Sequence, residues 1–167
     1  MTPWFHLGTA WTTWGGDPKD TVRRGLSVEV TGQFLMVLPG QRLGVGLAAG
    51  YLSVSGELTK GTGDVVSFAG AQVMPLLMLA LLDRLSLHLK GGYVFGAAND
   101  TEVGAGAVRF GGGLTVVFVR MFSADLALSA DVMHTRIVAV DKGTPMLNFA
   151  STSGQLGLSV AFNPGVL

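Results

Sequence analysis

Apolar and polar residues alternate with period two along most of this 167-residue chain. Successive side chains on a strand point to opposite faces, so the rhythm predicts strands with one apolar and one polar face. The second segment is the clearest: Leu26, Val28, Val30, Phe34 and Met36 alternate with Ser27, Glu29, Thr31 and Gln33. A fifth sets Leu85, Leu87, Leu89, Tyr93 and Phe95 against Ser86, His88, Lys90 and Gly92. A sixth sets Val108, Phe110, Leu114, Val116 and Phe118 against Arg109, Gly111, Gly113 and Thr115. In the seventh, Leu126, Leu128, Ala130 and Val132 alternate with Asp125, Ser129 and Asp131; in the eighth, Leu156, Leu158, Val160 and Phe162 alternate with Gln155, Gly157, Ser159 and Ala161. The first and third segments follow the same rule around Phe5 to Thr12 and Leu43 to Tyr51. The fourth, roughly Val65 to Leu81, is apolar on both faces in its second half, and its register is not fixed by pattern.

Composition decides which way round such strands face. Apolar residues make up 49% of the chain and charged residues 13%, about half the charge of an ordinary soluble domain. The chain has twenty-five glycines, many of them within apolar stretches, where each would weaken a helix by about 1 kcal/mol. The longest strongly apolar uncharged run, Val73 to Leu82, is ten residues with Pro75 inside it, well short of the roughly 20 that a spanning helix needs. A chain this apolar, with no helix to cross a bilayer, satisfies its backbone in lipid only as a closed barrel. The expected fold is therefore all-β: an eight-stranded antiparallel up-and-down transmembrane β-barrel, one domain over residues 1–167. Met1-Thr2-Pro3-Trp4 has no signal-peptide character, so a leader is expected to have been removed.

Connections are expected to be long on one side (GGDPKDTVRR, SGELTKGTGD, about AANDTEVGA, about AVDKGTPM) and tight on the other (Pro39-Gly40-Gln41, Leu82-Asp83-Arg84, Arg120 to Ser123). Long loops outside and short turns in the periplasm are the outer-membrane pattern, which puts both termini in the periplasm. Of 22 charged residues, 16 fall in the loops and turns, counting Arg42 beside the turn at Gln41. Glu29, Lys90, Arg109, Asp125 and Asp131 take the polar parity inside strands; Arg136 alone takes the apolar parity, near a loop end. Aromatic residues form two expected belts, an outer one with Trp11, Trp14, Tyr51, Phe68, Tyr93, Phe95, Phe110 and Phe149, and a periplasmic one with Trp4, Phe5, Phe34, Phe118, Phe122 and Phe162.

With eight alternating strands, alternating connection lengths, two belts and a last strand GQLGLSVAF closing on Phe162, the chain resembles the small outer-membrane barrels of the OmpA-domain and OmpX type. The resemblance is one of architecture and spans nearly the whole chain. It implies a bacterial outer-membrane protein.

Candidate chemistry is sparse. An eight-stranded barrel is just wide enough for side chains to fill, and a buried charge needs a partner. Two interior pairs are expected, Glu29–Arg109 and Lys90–Asp131, with Asp125 in the same lumen charge network. They form either a structural plug or a gated ion path. Interior glycines such as Gly44, Gly92 and Gly111 would leave room for them. His134 and Arg136 face the lipid near the outer rim, as interfacial anchors or contacts to lipopolysaccharide. Outer-membrane enzymes that edit lipid A carry a His-x-Ser arrangement there; Val132 and Arg136 flank His134 at that spacing instead, so no catalytic residue is assigned. His6 and His88 face the lumen with no acid cluster at ligand spacing, and no metal or other cofactor is expected. Outward-facing Gly91 and Gly112 on neighbouring strands mark either curvature or a flat patch for a protein partner. Net charge is zero with no basic stripe, so nucleic acid is not an expected partner. The expectation is a non-enzymatic envelope protein with a closed, salt-bridged lumen. The alternatives are a narrow ion or small-solute channel, an outer-leaflet lipid A modifying enzyme, and a soluble lipocalin-type barrel with the opposite polarity.

Overall fold

The computed structural model describes residues 2–14, 22–38, 42–58, 65–98, 104–122, 124–141 and 144–162, with side chains over 27–36, 38, 42–55, 67–97, 105–122, 124–137 and 152–162. The described residues are all-β, without helix, and form an antiparallel up-and-down sheet, as the alternation requires. The strands are β1 (Thr2–Trp14), β2 (Val22–Val37), β3 (Leu43–Leu58), β4 (Val65–Leu82), β5 (Leu85–Ala98), β6 (Gly104–Arg120), β7 (Ala124–Asp141) and β8 (Thr144–Phe162). Each pairs with the next along the chain, and β1 pairs with both β2 and β8, so the sheet closes on itself.

Closure carries a stagger. The ring of partners Thr2, Leu35, Gly46, Leu76, Lys90, Gly111, Met133 and Ser153 returns to β1 at Thr12, ten residues beyond its start. A barrel of this kind tilts its strands by about 35–45° to the axis. Sheet curvature leaves no space at several inward glycines: a Cβ on Gly113 would run into the Ala130 carbonyl and the Asp131 carboxylate.

Period two is obeyed on both faces. Val28, Val30, Leu47, Leu114, Leu128, Val132, Leu156 and Leu158 point outward and are exposed. Glu29, Thr31, Gln72, Lys90, Arg109, Asp131 and Gln155 point inward and are buried. The register of β4 is now fixed: Val73, Pro75, Leu77 and Leu79 face out, while Phe68, Gln72, Met74 and Leu76 face in. Phe68 is thereby removed from the outer belt. At 1% exposure it lies inside, in an apolar cluster with Leu52, Val54, Val94, Ala105, Ala107 and Ile137 toward the long-connection end.

The expected contrast in connection length is also corrected. β7 runs to Asp141 and β8 starts at Thr144, so a two-residue link stands where a long loop was expected. Arg23, Arg24, Glu57, Arg120 and Asp141, read as loop or turn charges, lie within strand ends. The strands are 13 to 19 residues long, and the ladder continues past the segment over which the apolar parity persists. At the other end, Arg42 Nη1 donates to the Leu81 carbonyl at 3.0 Å and Arg120 donates to the Asp83 carbonyl, tying the short turns together.

Tyr51, Tyr93, Phe95, Phe110, Phe34, Phe118 and Phe162 are all exposed on the outer face. Phe118 is the extra residue of a bulge between Val117 and Val119. Tyr93 lies across Gly106 of β6, where any side chain would displace its hydroxyl, and its ring sits 4.5 Å from that of Phe95. The side chains of Trp4, Phe5, His6, Trp11, Trp14 and Phe149 lie outside the described residues.

Candidate functional site in the lumen

Four buried charges sit near the middles of their strands: Glu29 on β2, Lys90 on β5, Arg109 on β6 and Asp131 on β7. Arg109 reaches across the lumen from β6 to β2. Its Nη1 donates to Glu29 Oε2 and to Gln72 Oε1, each at 2.8 Å, and its Nε donates to Thr135 Oγ1 at 3.2 Å. With its amide nitrogen turned to Glu29, Gln155 donates to Oε2 at 3.2 Å and accepts from Arg109. Lys90 Nζ stands 3.8 Å from Glu29 Oε1 and 3.6 Å from Asp131 Oδ2, separations that suit bridging water better than direct hydrogen bonds.

Both expected pairs are thus present, but Lys90 links them into one chain. The sequence reading missed its last member. His88 Nε2 hydrogen-bonds Asp131 Oδ1, and Nδ1 lies 3.2 Å from Thr115 Oγ1. The signal for this contact was Gly113, which is opposite His88 on one side and Asp131 on the other. With no side chain between them, residues two strands apart meet. Asp125 does not join the network: it is half-buried at the short-turn end, opposite Arg120, and takes part in none of these ion pairs.

The electrostatics are self-contained. Two carboxylates face two cations, so the cluster is neutral when His88 is neutral. Nε2–H can donate to the Asp131 carboxylate, and Nδ1 can share a hydrogen bond with the Thr115 hydroxyl. Six strands contribute side chains, so the network cross-braces the barrel from within.

Carboxylate, imidazole and hydroxyl in this order also form the relay of a nucleophilic enzyme. The adjoining cavity tests that reading. It lies between Leu35, Leu76, His88, Lys90, Ser129 and Asp131 and measures about 30 Å³, room for about two waters. This cavity is too small for an acyl chain. Among the described residues no three His, Asp or Glu are grouped to hold a metal ion.

On the outer face, His134 Nδ1 lies 3.2 Å from Thr152 Oγ1 and its ring lies 5.1 Å from Phe110, while Arg136 is exposed one step nearer the long-connection end. Asp131 faces the opposite side of the wall and cannot orient this imidazole. Gly91 and Gly112 line an open depression of about 520 Å³ with Pro75, Leu77, Leu89 and Phe110; a second, of about 640 Å³, continues from Gly112 toward Gly154. No protein-family model and no curated protein matches the chain.

Proposed function

We propose that this chain is an eight-stranded transmembrane barrel of a bacterial outer membrane, with a closed lumen and a structural or interaction role in the envelope. One observation carries the reading: the polarity is inverted. Side chains as large as Phe95, Phe110, Leu128, Val132 and Leu156 are more than half exposed, while Glu29, Lys90, Arg109 and Asp131 are each 4% exposed or less. Soluble proteins seldom show contiguous apolar patches beyond a few hundred Å². A wall of Leu, Val and Phe is at rest only against lipid.

The lumen argues for closure rather than conduction. Among the described residues the apolar cluster around Phe68 and Ile137 occupies one half, the ion-pair network spans the middle, and the cavity beside His88 is water-sized. Its partners on this reading are the bilayer and lipopolysaccharide. Planar-bilayer recording tests it: insertion without steady single-channel current is expected. Sustained unitary conductance would replace the plug by a channel.

A further inference from the structure

We infer that the outer wall over β6–β8 holds one phosphorylated glycolipid, with an acyl chain in the groove beside Gly154 and a phosphate against His134 and Arg136. The inference rests on the membrane reading and names the lipid partner more closely.

The groove is a gap between bulky side chains. Leu89, Val132 and Leu156 form its walls; Gly112, Ala130 and Gly154 form its floor. The depression is open on its outer side, so an acyl chain lying in it would keep contact with the surrounding medium. At Gly154 the space is free, since a Cβ built there meets nothing within 4 Å.

The order of residues along the β7–β8 seam matches the order of groups in a lipid. Val132 pairs with Gly154 at the groove, His134 with Thr152 one step up, and Arg136 follows. Phe110 flanks the imidazole on the β6 side. Among described residues, Arg136 is the outward-facing charge set away from the short turns. An outward cation costs about 2–4 kcal/mol at the midplane and falls to about 0–1 kcal/mol at the interface. That cost places Arg136 at headgroup level, with the groove reaching toward the bilayer interior. Guanidinium and imidazole donors together suit a phosphate. The long-connection end faces outward in this class of barrel, so the lipid is the phosphorylated glycolipid of the outer leaflet.

Native mass spectrometry of the full chain, released from nanodiscs holding equal amounts of lipid A, its dephosphorylated form and phosphatidylglycerol, tests this. One retained lipid A is expected, preferred by about tenfold over the phosphate-free form, a difference of about 1.4 kcal/mol. Arg136→Gln with His134→Gln should remove the preference. Gly154→Phe should remove retention by filling the groove, while the far-UV spectrum stays that of the parent. Equal retention of the phosphate-free lipid, preference for phosphatidylglycerol, or variants that bind like the parent would overturn the inference. Flotation with vesicles separates this from failure of the membrane reading, because a chain that does not float refutes that reading, whereas one that floats without selectivity refutes the site alone.

Discussion

Arg109→Met should lower the unfolding free energy of the protein in vesicles by about 3–5 kcal/mol, the cost of leaving a buried charge without its partner. Arg109 is 1% exposed and bonds Glu29, Gln72 and Thr135 at once. Removing it leaves the Glu29 carboxylate with Lys90 at 3.8 Å as its remaining cation, itself shared with Asp131. Glu29→Gln in the same background should recover much of the loss, because Lys90 and Asp131 then balance each other. Urea titration of the two single variants and the double variant measures the coupling. Additive losses would show that the bond is incidental to stability.

Leu114→Arg should cost about 2–4 kcal/mol in a bilayer, the penalty for a cation on the lipid face near the midplane. In water the same change, at a side chain 43% exposed, would be nearly neutral. The substitution therefore separates lipid from water as the outer medium. Refolding yield into vesicles and the urea midpoint both report it, and an unchanged midpoint would contradict a lipid-facing wall.

Most of the fold was legible because one buried face and one apolar outer face impose strict alternation. Glu29 and Arg109 were paired from parity and ring position alone, since β2 and β6 are opposite in a ring of eight. What escaped has identifiable causes. Phe68 escaped because β4 is apolar on both faces near Met74 to Leu79, which leaves Gln72, on the same face as Phe68, as a single polar mark of the inward side. The β7–β8 extension escaped because the apolar–polar alternation ends before the hydrogen-bond ladder does. His88 was placed on the lumen side, but its bond to Asp131 depends on Gly113 having no side chain, a relation across three strands that no single-strand pattern contains. Lys90 as the bridge between two pairs required the stagger of the ring, which follows from closure and not from any one strand.

The central claim is lipid outside and charge within. The chain has no cysteine, so single cysteines can be introduced without background. Nitroxides placed in turn at Leu114, Leu128, Val132 and Leu158, and at inward Ser129 and Thr135, should be read by collision with oxygen and with a water-soluble nickel complex in vesicles. The account predicts high oxygen and negligible nickel collision at the four outward positions, and low values of both at the two inward ones. Nickel reaching Leu114 and Val132 as freely as a surface loop, in a chain that stays monodisperse in plain buffer, would contradict it.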